Sequence, residues 1–341
     1  MIWIGKKRQS KEKLKCASSL SWGTKCFNLL GIDFDTTLER MPSLNYNEAL
    51  IKVDKTISAW NKRQLTPIGK ITVIKSLILS QLNHLFMSIA LPNKEFCDKL
   101  NRKLYNFLWD GKPDKIKRNI ITQTKRNGGL KMPDVYKFII SLKSTWIRRL
   151  AQSSESPWAK LFQISYGPIE NLYNFGPLWG IRVNDKLPNN FWKETFLAWD
   201  EINQQMEVKT KIDVLTTPLW YNRKLGFSRQ YIKLWHQNGI CTVGDIVNDN
   251  LDMLDREVLE QKYDFKISNF LDYLQIRSLI QRYMSKTKPT IKLDQSLVRP
   301  FIPYHMRAIL QSKQGCKFIY NRITETQIEA SFKKKWNQDL N

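Results

Sequence analysis

The chain has 341 residues, of which 42% are hydrophobic and 12% aromatic, enough for a packed core and too many for a wholly disordered chain. Its length predicts two or three domains. Lys and Arg together number 55 against 31 Asp and Glu, which gives a formal net charge of +24. Such an excess predicts a polyanionic partner, with nucleic acid first and an anionic lipid surface as the alternative.

The cysteines and the apolar stretches of the sequence indicate in which cellular compartment the protein is expected. The five cysteines form no Cys-x-x-Cys pair, which argues against a disulfide scaffold and suits a reducing compartment. The N-terminal stretch MIWIGKKRQS lacks the apolar core of a signal peptide. The most apolar stretch, residues 77–91, is interrupted by polar side chains and is too short to span a bilayer. We therefore expect a soluble intracellular protein, cytoplasmic or nuclear, that does not bind a membrane.

Two strand-like runs open the chain, MIWIG at residues 1–5 and CFNLLGIDFD at residues 26–35. In the second run Leu30, Ile32 and Phe34 alternate with Gly and Asp, which is typical of a strand with one buried face. The two runs together predict a small N-terminal β-hairpin.

Helical patterns follow. Apolar spacing predicts a helix over residues 46–60, and Thr66 followed by Pro67 is a typical helix start. From there apolar residues recur every three or four positions, so we expect a long helix that ends before Pro92. Two further apolar stripes predict helices over residues 96–108 and 135–150, the second with a polar side formed by Lys137, Lys143, Arg148 and Arg149.

The composition changes near residue 151. Residues 151–190 are rich in Pro and Gly and predict loops, with short helices beyond them. We therefore predict a mainly α fold, in which the small hairpin is followed by a helical segment and a helical C-terminal domain. The predicted domains are residues 1–40, 41–150 and 151–341.

The densest basic stretch, residues 112–131, holds seven Lys or Arg residues and one acid, and we call it the basic connector. Mobile cations suit contacts with backbone phosphates, and the nearby rings of Tyr105 and Trp109 suit stacking on bases. Two alternatives stay open. The connector is a nucleic-acid contact or a solvated loop, and Trp109 is a stacking platform or a core anchor.

No motif predicts a catalytic centre. Polymerase chemistry uses paired carboxylates that hold two metal ions, and the sequence contains no Asp-Asp pair. Asp33 and Asp35 share one face of the predicted strand, where we interpret them as solvated carboxylates. His84 is predicted to lie in or beside the core. His236 and Cys241 lack a second ligand pair for zinc. We expect no catalytic residue, metal or cofactor.

Several stretches, taken in order, resemble the reverse-transcriptase polyprotein of LINE-type (non-LTR) retrotransposons. MIWIGKKRQS is similar to the primer-gripping strand after the catalytic palm, and FNLLGIDFD to the Leu-Gly-Ile strand that closes that subdomain. The stretch from WNKRQLTPIGK to SIALP is similar to the thumb of that family. FLWDGKPDKIKR and NGGLKMPDV are similar to a segment just past the thumb, and PLWYN, GICTVGDIV and GCKFIYN to the polyprotein tail.

The resemblance implies that this region holds template RNA and the RNA–DNA duplex during target-primed reverse transcription, without reading their sequence. It implies that Gly69 and Lys70 begin the helix that tracks the duplex, although helix-start chemistry explains both residues equally well. Residues 109–118 are implied to lie near template RNA. The predicted nucleic-acid contacts are Lys62, Arg63, Lys70, Trp109, Lys112, Lys115, Lys117, Arg118, Lys125, Arg126 and Lys131.

Other parts of the family pattern have no counterpart in the sequence. The endonuclease domain and the palm with its paired aspartates are expected to precede residue 1, and the Cys/His knuckle of some relatives is missing. The resemblance therefore implies a non-catalytic C-terminal fragment that binds RNA through a basic surface. One alternative is an inert or structural product of a degenerate retroelement. The other, an active polymerase, is disfavoured by the missing carboxylate pair.

Overall fold

The architecture comes from a computed structural model, in which the chain divides into two compact units, Met1–Ile139 and Ile140–Asn341. The three domains predicted from composition remain a prediction. The structure describes residues 26–183, 190–206, 208, 210–226, 232–287, 304–310, 316–317, 319–321 and 323–324.

The fold is mainly α with one small β-hairpin, as predicted. Strands β1 (Cys26–Leu29) and β2 (Ile32–Asp35) pair in antiparallel fashion. The expectation of one strand through residues 26–35 is therefore wrong. Leu30 and Gly31 adopt φ values of 52° and 77°, and two successive left-handed residues reverse the chain as a two-residue hairpin turn. The run at residues 1–5 lies outside the described residues.

Helices form the rest of the first unit. Thr66 caps the second of them as predicted, since its Oγ1 accepts a hydrogen bond of 3.2 Å from the Gly69 N–H. Asn93 caps helix α4 through a 2.9 Å bond from the Phe96 N–H. The helices are α1 (Met41–Asn61), α2 (Pro67–Val73), a π-helical segment (Ile74–Leu79), α3 (Ser80–Ser88), α4 (Lys94–Trp109), α5 (Arg118–Ile121) and α6 (Val135–Gln152), which continues into the second unit.

The core of the first unit follows the predicted stripes. The stripe that follows Thr66 and the stripe over residues 96–108 are buried at every predicted apolar position. These positions are Ile71, Ile74, Ile78, Leu82, Leu85, Ile89, Phe96, Leu100, Leu104 and Leu108. The prediction for His84 is wrong, because its side chain is exposed. Leu82, Leu85 and Phe86 occupy the core-facing positions of helix α3, which leaves His84 on the solvent side.

Residues 151–190 were predicted to form loops, but the described residues of this range include three helices. Pro157 sits in the first turn of helix α7, and Gly167 ends that helix with a φ of 88°. These residues therefore act as helix boundaries rather than as loop formers. The helices are α7 (Pro157–Tyr166), α8 (Asn171–Asn174), α9 (Leu178–Val183), α10 (Asn190–Gln205), α11 (Lys211–Leu215), α12 (Lys233–Gln237), α13 (Val243–Ile246), α14 (Arg256–Lys262), α15 (Phe270–Thr287) and α16 (Tyr304–Leu310).

Large aromatic side chains fill the core of the second unit, including the fully buried Trp199, Trp220 and Trp235. Lys143 was predicted on the polar side of helix α6, and that prediction is wrong. Its side chain is completely buried, with Nζ 3.7 Å from the centroid of the Phe191 ring. Among the described residues, no helix combines the length and the apolar character needed to cross a bilayer.

Candidate nucleic-acid interface

Two of the predicted nucleic-acid contacts have side chains that are buried within the first unit. Lys70 is buried and forms an ion pair with Asp110, and the Trp109 ring is only 5% exposed. In this conformation Lys70 cannot reach a phosphate, and Trp109 cannot stack on a base. Burial thus favours the core-anchor alternative for Trp109, and the other predicted contacts are exposed cations.

The basic connector is an ordered loop. The backbone N–H groups of Leu130 and Met132 donate hydrogen bonds of 3.1 and 3.0 Å to the carbonyl oxygen of Ile121. The Lys131 N–H donates a bond of 2.8 Å to the carbonyl of Gln123. Ile121 and Met132 are fully buried and anchor the loop. These backbone bonds and apolar anchors hold residues 121–132, so Lys125 and Lys131 extend from a fixed base.

The Gly128–Gly129 turn makes this arrangement possible. Gly128 adopts a φ of 76°, a conformation that glycine enters without the strain of a side chain. A Cβ atom on Gly129 would collide with the carbonyl oxygens of Gln123 and Ile120, so only glycine fits. Lys131 adopts a φ of 57°, which is strained for a residue with a long side chain.

Lys75 joins the connector from a distant part of the chain. It is exposed in the π-helical segment, and its pKa is lowered, first by partial burial of its ammonium and then by the charges of Lys131 and Lys125. Such repulsion requires the Lys125 and Lys131 side chains each to lie within electrostatic range of Lys75. We call Lys75, Lys125 and Lys131 the lysine cluster. π-Helical segments are frequent at functional sites.

Sequence reasoning missed Lys75, because only folding brings it to the connector. One signal was present in the sequence. Lys75 is the single Lys or Arg between residues 71 and 93, in an otherwise apolar helical stretch. A lone exposed cation on such a helix suggests a specific neighbour or ligand.

The other predicted cations differ in their surroundings. Arg118 is engaged, because its Nε lies 2.8 Å from the Asp114 carboxylate and its guanidinium carbon lies 4.2 Å from the centroid of the buried Tyr105 ring. Arg63 lies over the Trp60 ring at 4.3 Å, beside the exposed Lys62. Within the described part of the chain, no ion pair involves the exposed side chains of Lys112, Lys115, Lys117, Lys125, Arg126 and Lys131.

The acidic candidates make local hydrogen bonds, and His236 and Cys241 are partly buried. Asp33 Oδ1 accepts a bond of 2.8 Å from the Asn28 amide, and Asp35 Oδ1 accepts one of 2.6 Å from the Thr37 N–H. The His236 ring stacks on Phe175 at 4.5 Å, and burial lowers its pKa. Burial raises the pKa of Cys241 to about 11. Across the described residues, no group of three His, Cys, Asp or Glu side chains is placed to hold a metal ion.

Chemically, the arrangement suits an extended polyanion. Cations that repel one another and lack counter-charges gain most from a partner that brings several negative charges at once. Ammonium groups on long side chains contact phosphates without reading bases. The ordered backbone of the connector lowers the entropy lost when those groups are fixed by a ligand.

Comparisons with known proteins point to mobile elements. No family model matches the chain. The chain is 24% identical over 262 residues to the "Transposon TX1 uncharacterized 149 kDa protein" of Xenopus laevis, a match that covers 72% of this chain and 20% of that protein. It is 26% identical over 133 residues to the "Putative ribonuclease H protein At1g65750" of Arabidopsis thaliana, covering 38% of this chain and 21% of that protein. The matched segments thus span about a fifth of these relatives, and over most of its length this chain is similar to a transposon-encoded protein.

Proposed function

We propose that this chain is a retroelement-derived, non-catalytic part of a reverse transcriptase that binds template RNA and the RNA–DNA duplex through its basic connector. Similarity to a transposon-encoded protein supports the origin, and the ordered series of thumb-like motifs supports the place within such a polyprotein. The observation that carries the binding proposal is the exposure of six connector cations, none of which has an ion-pair partner among the described residues.

The proposed contact is with phosphates rather than with bases. The connector offers cations on an ordered backbone, whereas the ring predicted for stacking, Trp109, is buried. Binding without sequence preference follows from that chemistry, since phosphate contacts are the same for every sequence. Such binding also weakens with salt, because each neutralised phosphate releases counterions.

The experiment measures binding of the 341-residue chain to a 20-nucleotide RNA and to a matching RNA–DNA hybrid by fluorescence anisotropy, at increasing salt. With about five phosphates contacted, the slope of log K against log salt is expected near −3.5 for the single strand. Shuffling the RNA sequence is expected to leave the affinity unchanged. Absence of binding at low salt, or binding that salt does not weaken, would contradict the proposal.

Exposed apolar side chains favour a second candidate, a product of a degenerate element without activity of its own. In the hairpin of the first unit, Leu29 is 52% exposed and Leu30 is 82% exposed. Apolar surface of this kind promotes association when no partner covers it. A broad thermal transition together with no measurable RNA binding would support this candidate over the first.

A further inference from the structure

An ion pair joins two motifs of the first unit that lie forty residues apart. The ammonium of Lys70, at the start of helix α2, contacts the carboxylate of Asp110, directly after helix α4. The Lys70 side chain is 5% exposed, and its Nζ lies 5.6 Å from the centroid of the Phe107 ring. The Asp110 side chain is 66% exposed. A buried ammonium therefore depends on a carboxylate that reaches it from the surface.

Asp110 also marks the point where the basic connector begins. It has left-handed φ and ψ values of 55° and 41°, and Gly111 follows with a φ of 72°. The Gly111 N–H donates a 2.8 Å hydrogen bond to the Asn106 carbonyl, and the Lys112 N–H donates a 3.0 Å bond to the Trp109 carbonyl. These two left-handed residues turn the chain out of helix α4 and set the direction of the connector.

The other partner of the pair lies on the helical run that carries the lysine cluster. Lys70 precedes Lys75 by five residues, in helix α2 and the π-helical segment that follows it without a break. Lys70 faces inward and Lys75 faces solvent. The ion pair therefore ties the helix that supplies Lys75 to Asp110, which together with Gly111 leads into the connector that supplies Lys125 and Lys131.

We infer that the Lys70–Asp110 ion pair positions the basic connector for its ligand, and that neither side chain contacts nucleic acid. Lys70 and Asp110 are thus positioning residues, which act through the place and order of the connector lysines. This inference rests on the proposed function. It replaces the direct phosphate contact that the sequence predicted for Lys70.

Two substitutions that change the net charge in opposite directions test the inference. Lys70→Met removes a positive charge and leaves Asp110 in water, so the chain stays folded. Asp110→Asn removes a negative charge and keeps a residue that tolerates the left-handed backbone. If charge alone governs binding, Lys70→Met weakens RNA binding and Asp110→Asn strengthens it. If the pair positions the connector, both variants weaken binding, by about fivefold for the loss of one or two phosphate contacts.

Asp114→Asn is the matched control. It makes the same charge change four residues further along, but Asp114 pairs with the exposed Arg118 at the surface. Removing that carboxylate leaves no buried charge without a partner and frees Arg118. Asp114→Asn is therefore expected to bind the 20-nucleotide RNA as tightly as the unchanged chain or more tightly. Asp110→Asn is then expected to weaken binding where Asp114→Asn does not, despite equal net charge.

Hydrogen–deuterium exchange of the full chain without RNA gives an independent readout. The amides of Leu130, Lys131 and Met132, which close the connector, are expected to exchange faster in Lys70→Met and Asp110→Asn but not in Asp114→Asn. Opposite affinity changes for Lys70→Met and Asp110→Asn, or unchanged exchange in both, would overturn the inference. Should the unchanged chain fail to bind RNA, the proposed function falls, and the exchange rates still decide whether the pair orders the connector.

Discussion

The connector of the first unit and helix α6 in the second unit place their lysines in different surroundings. In the first unit the lysines of the connector are exposed and stand apart from carboxylates, whereas in the second unit Lys143 is completely buried over the Phe191 ring with Glu194 at 4.0 Å. The second unit also places the Asp200 carboxylate inside, 3.0 Å from the partly exposed Arg223 guanidinium. The comparison teaches that residue type alone does not mark a binding surface. Exposure and ion pairing are what distinguish the lysines of the connector from Lys143.

The largest expected effect is a loss of stability in the second unit. It tests whether packing in that unit supports the fold without contributing to RNA binding. Trp220 is fully buried, and its Nε1–H donates a 2.7 Å hydrogen bond to the Ile240 carbonyl. Trp220→Ala is expected to lower the free energy of unfolding by about 3–5 kcal/mol. Chemical denaturation measures the loss. The variant is expected to keep the RNA affinity of the unchanged chain under conditions where it is folded.

Trp220→Phe is the control, because it keeps an aromatic ring and removes the indole N–H. Its loss of stability is expected to be smaller than that of Trp220→Ala. A large drop in RNA affinity for a folded Trp220 variant would contradict the separation of roles between the two units.

A glycine substitution tests whether the connector must be ordered to bind. Gly129→Ala forces a Cβ into the carbonyl oxygens of Gln123 and Ile120, and it is expected to cost about 3 kcal/mol and to weaken RNA binding. Gly128→Ala meets no atom within 4 Å and carries only the strain of its positive φ, about 1 kcal/mol. Denaturation and anisotropy on both variants separate the outcomes. Equal RNA affinities for the two would show that order in the connector does not matter.

The smallest effect concerns the buried cation of the second unit. Burial lowers the pKa of Lys143 from 10.5 to about 7, against the opposing attraction of Glu194. Between these two pH values the unfolded chain binds the proton more readily than the folded chain. Lys143 therefore makes the free energy of unfolding rise with pH from about 7 towards 10.5. Below about pH 7 its full destabilising effect is present. Lys143→Met removes this dependence and is expected to add about 1 kcal/mol of stability at pH 7.

Melting temperatures at pH 6, 7.5 and 9 check this expectation for both chains. Arg149→Met serves as the control on the same helix, since the Arg149 side chain is exposed, whereas burial lowers the pKa of Lys137 as well. A pH dependence that survives Lys143→Met would assign it to other groups.

Local patterns in the sequence predicted local structure well. The apolar stripes that begin at Ile71 and Phe96 are buried as expected, and Thr66 caps its helix. These features depend on neighbours within a few residues, which periodicity and capping chemistry describe. The same reasoning gave the hairpin as a feature but misplaced its turn, because it treated Leu30 as an extended residue.

Long-range features escaped sequence reasoning. The Lys70–Asp110 pair spans forty residues, and Lys75 meets a connector that begins beyond residue 110. Periodicity placed Lys143 on a polar face, but helix packing in the second unit buries its side chain. Which cations are exposed and unpaired is decided by tertiary structure, so the candidate site could be predicted only as a segment.

The central claim is that the exposed, unpaired lysines of the first unit bind nucleic acid. Two triple variants with equal net charge test it, one replacing Lys75, Lys125 and Lys131 with Gln, the other replacing Lys52, Lys99 and Lys103, which pair with carboxylates. The decisive measurement is the salt dependence of RNA affinity for both. Replacing Lys75, Lys125 and Lys131 is expected to reduce the magnitude of the slope of log K against log salt by about 2. Replacing Lys52, Lys99 and Lys103 is expected to leave that slope nearly unchanged. Equal slopes for the two variants would contradict the central claim.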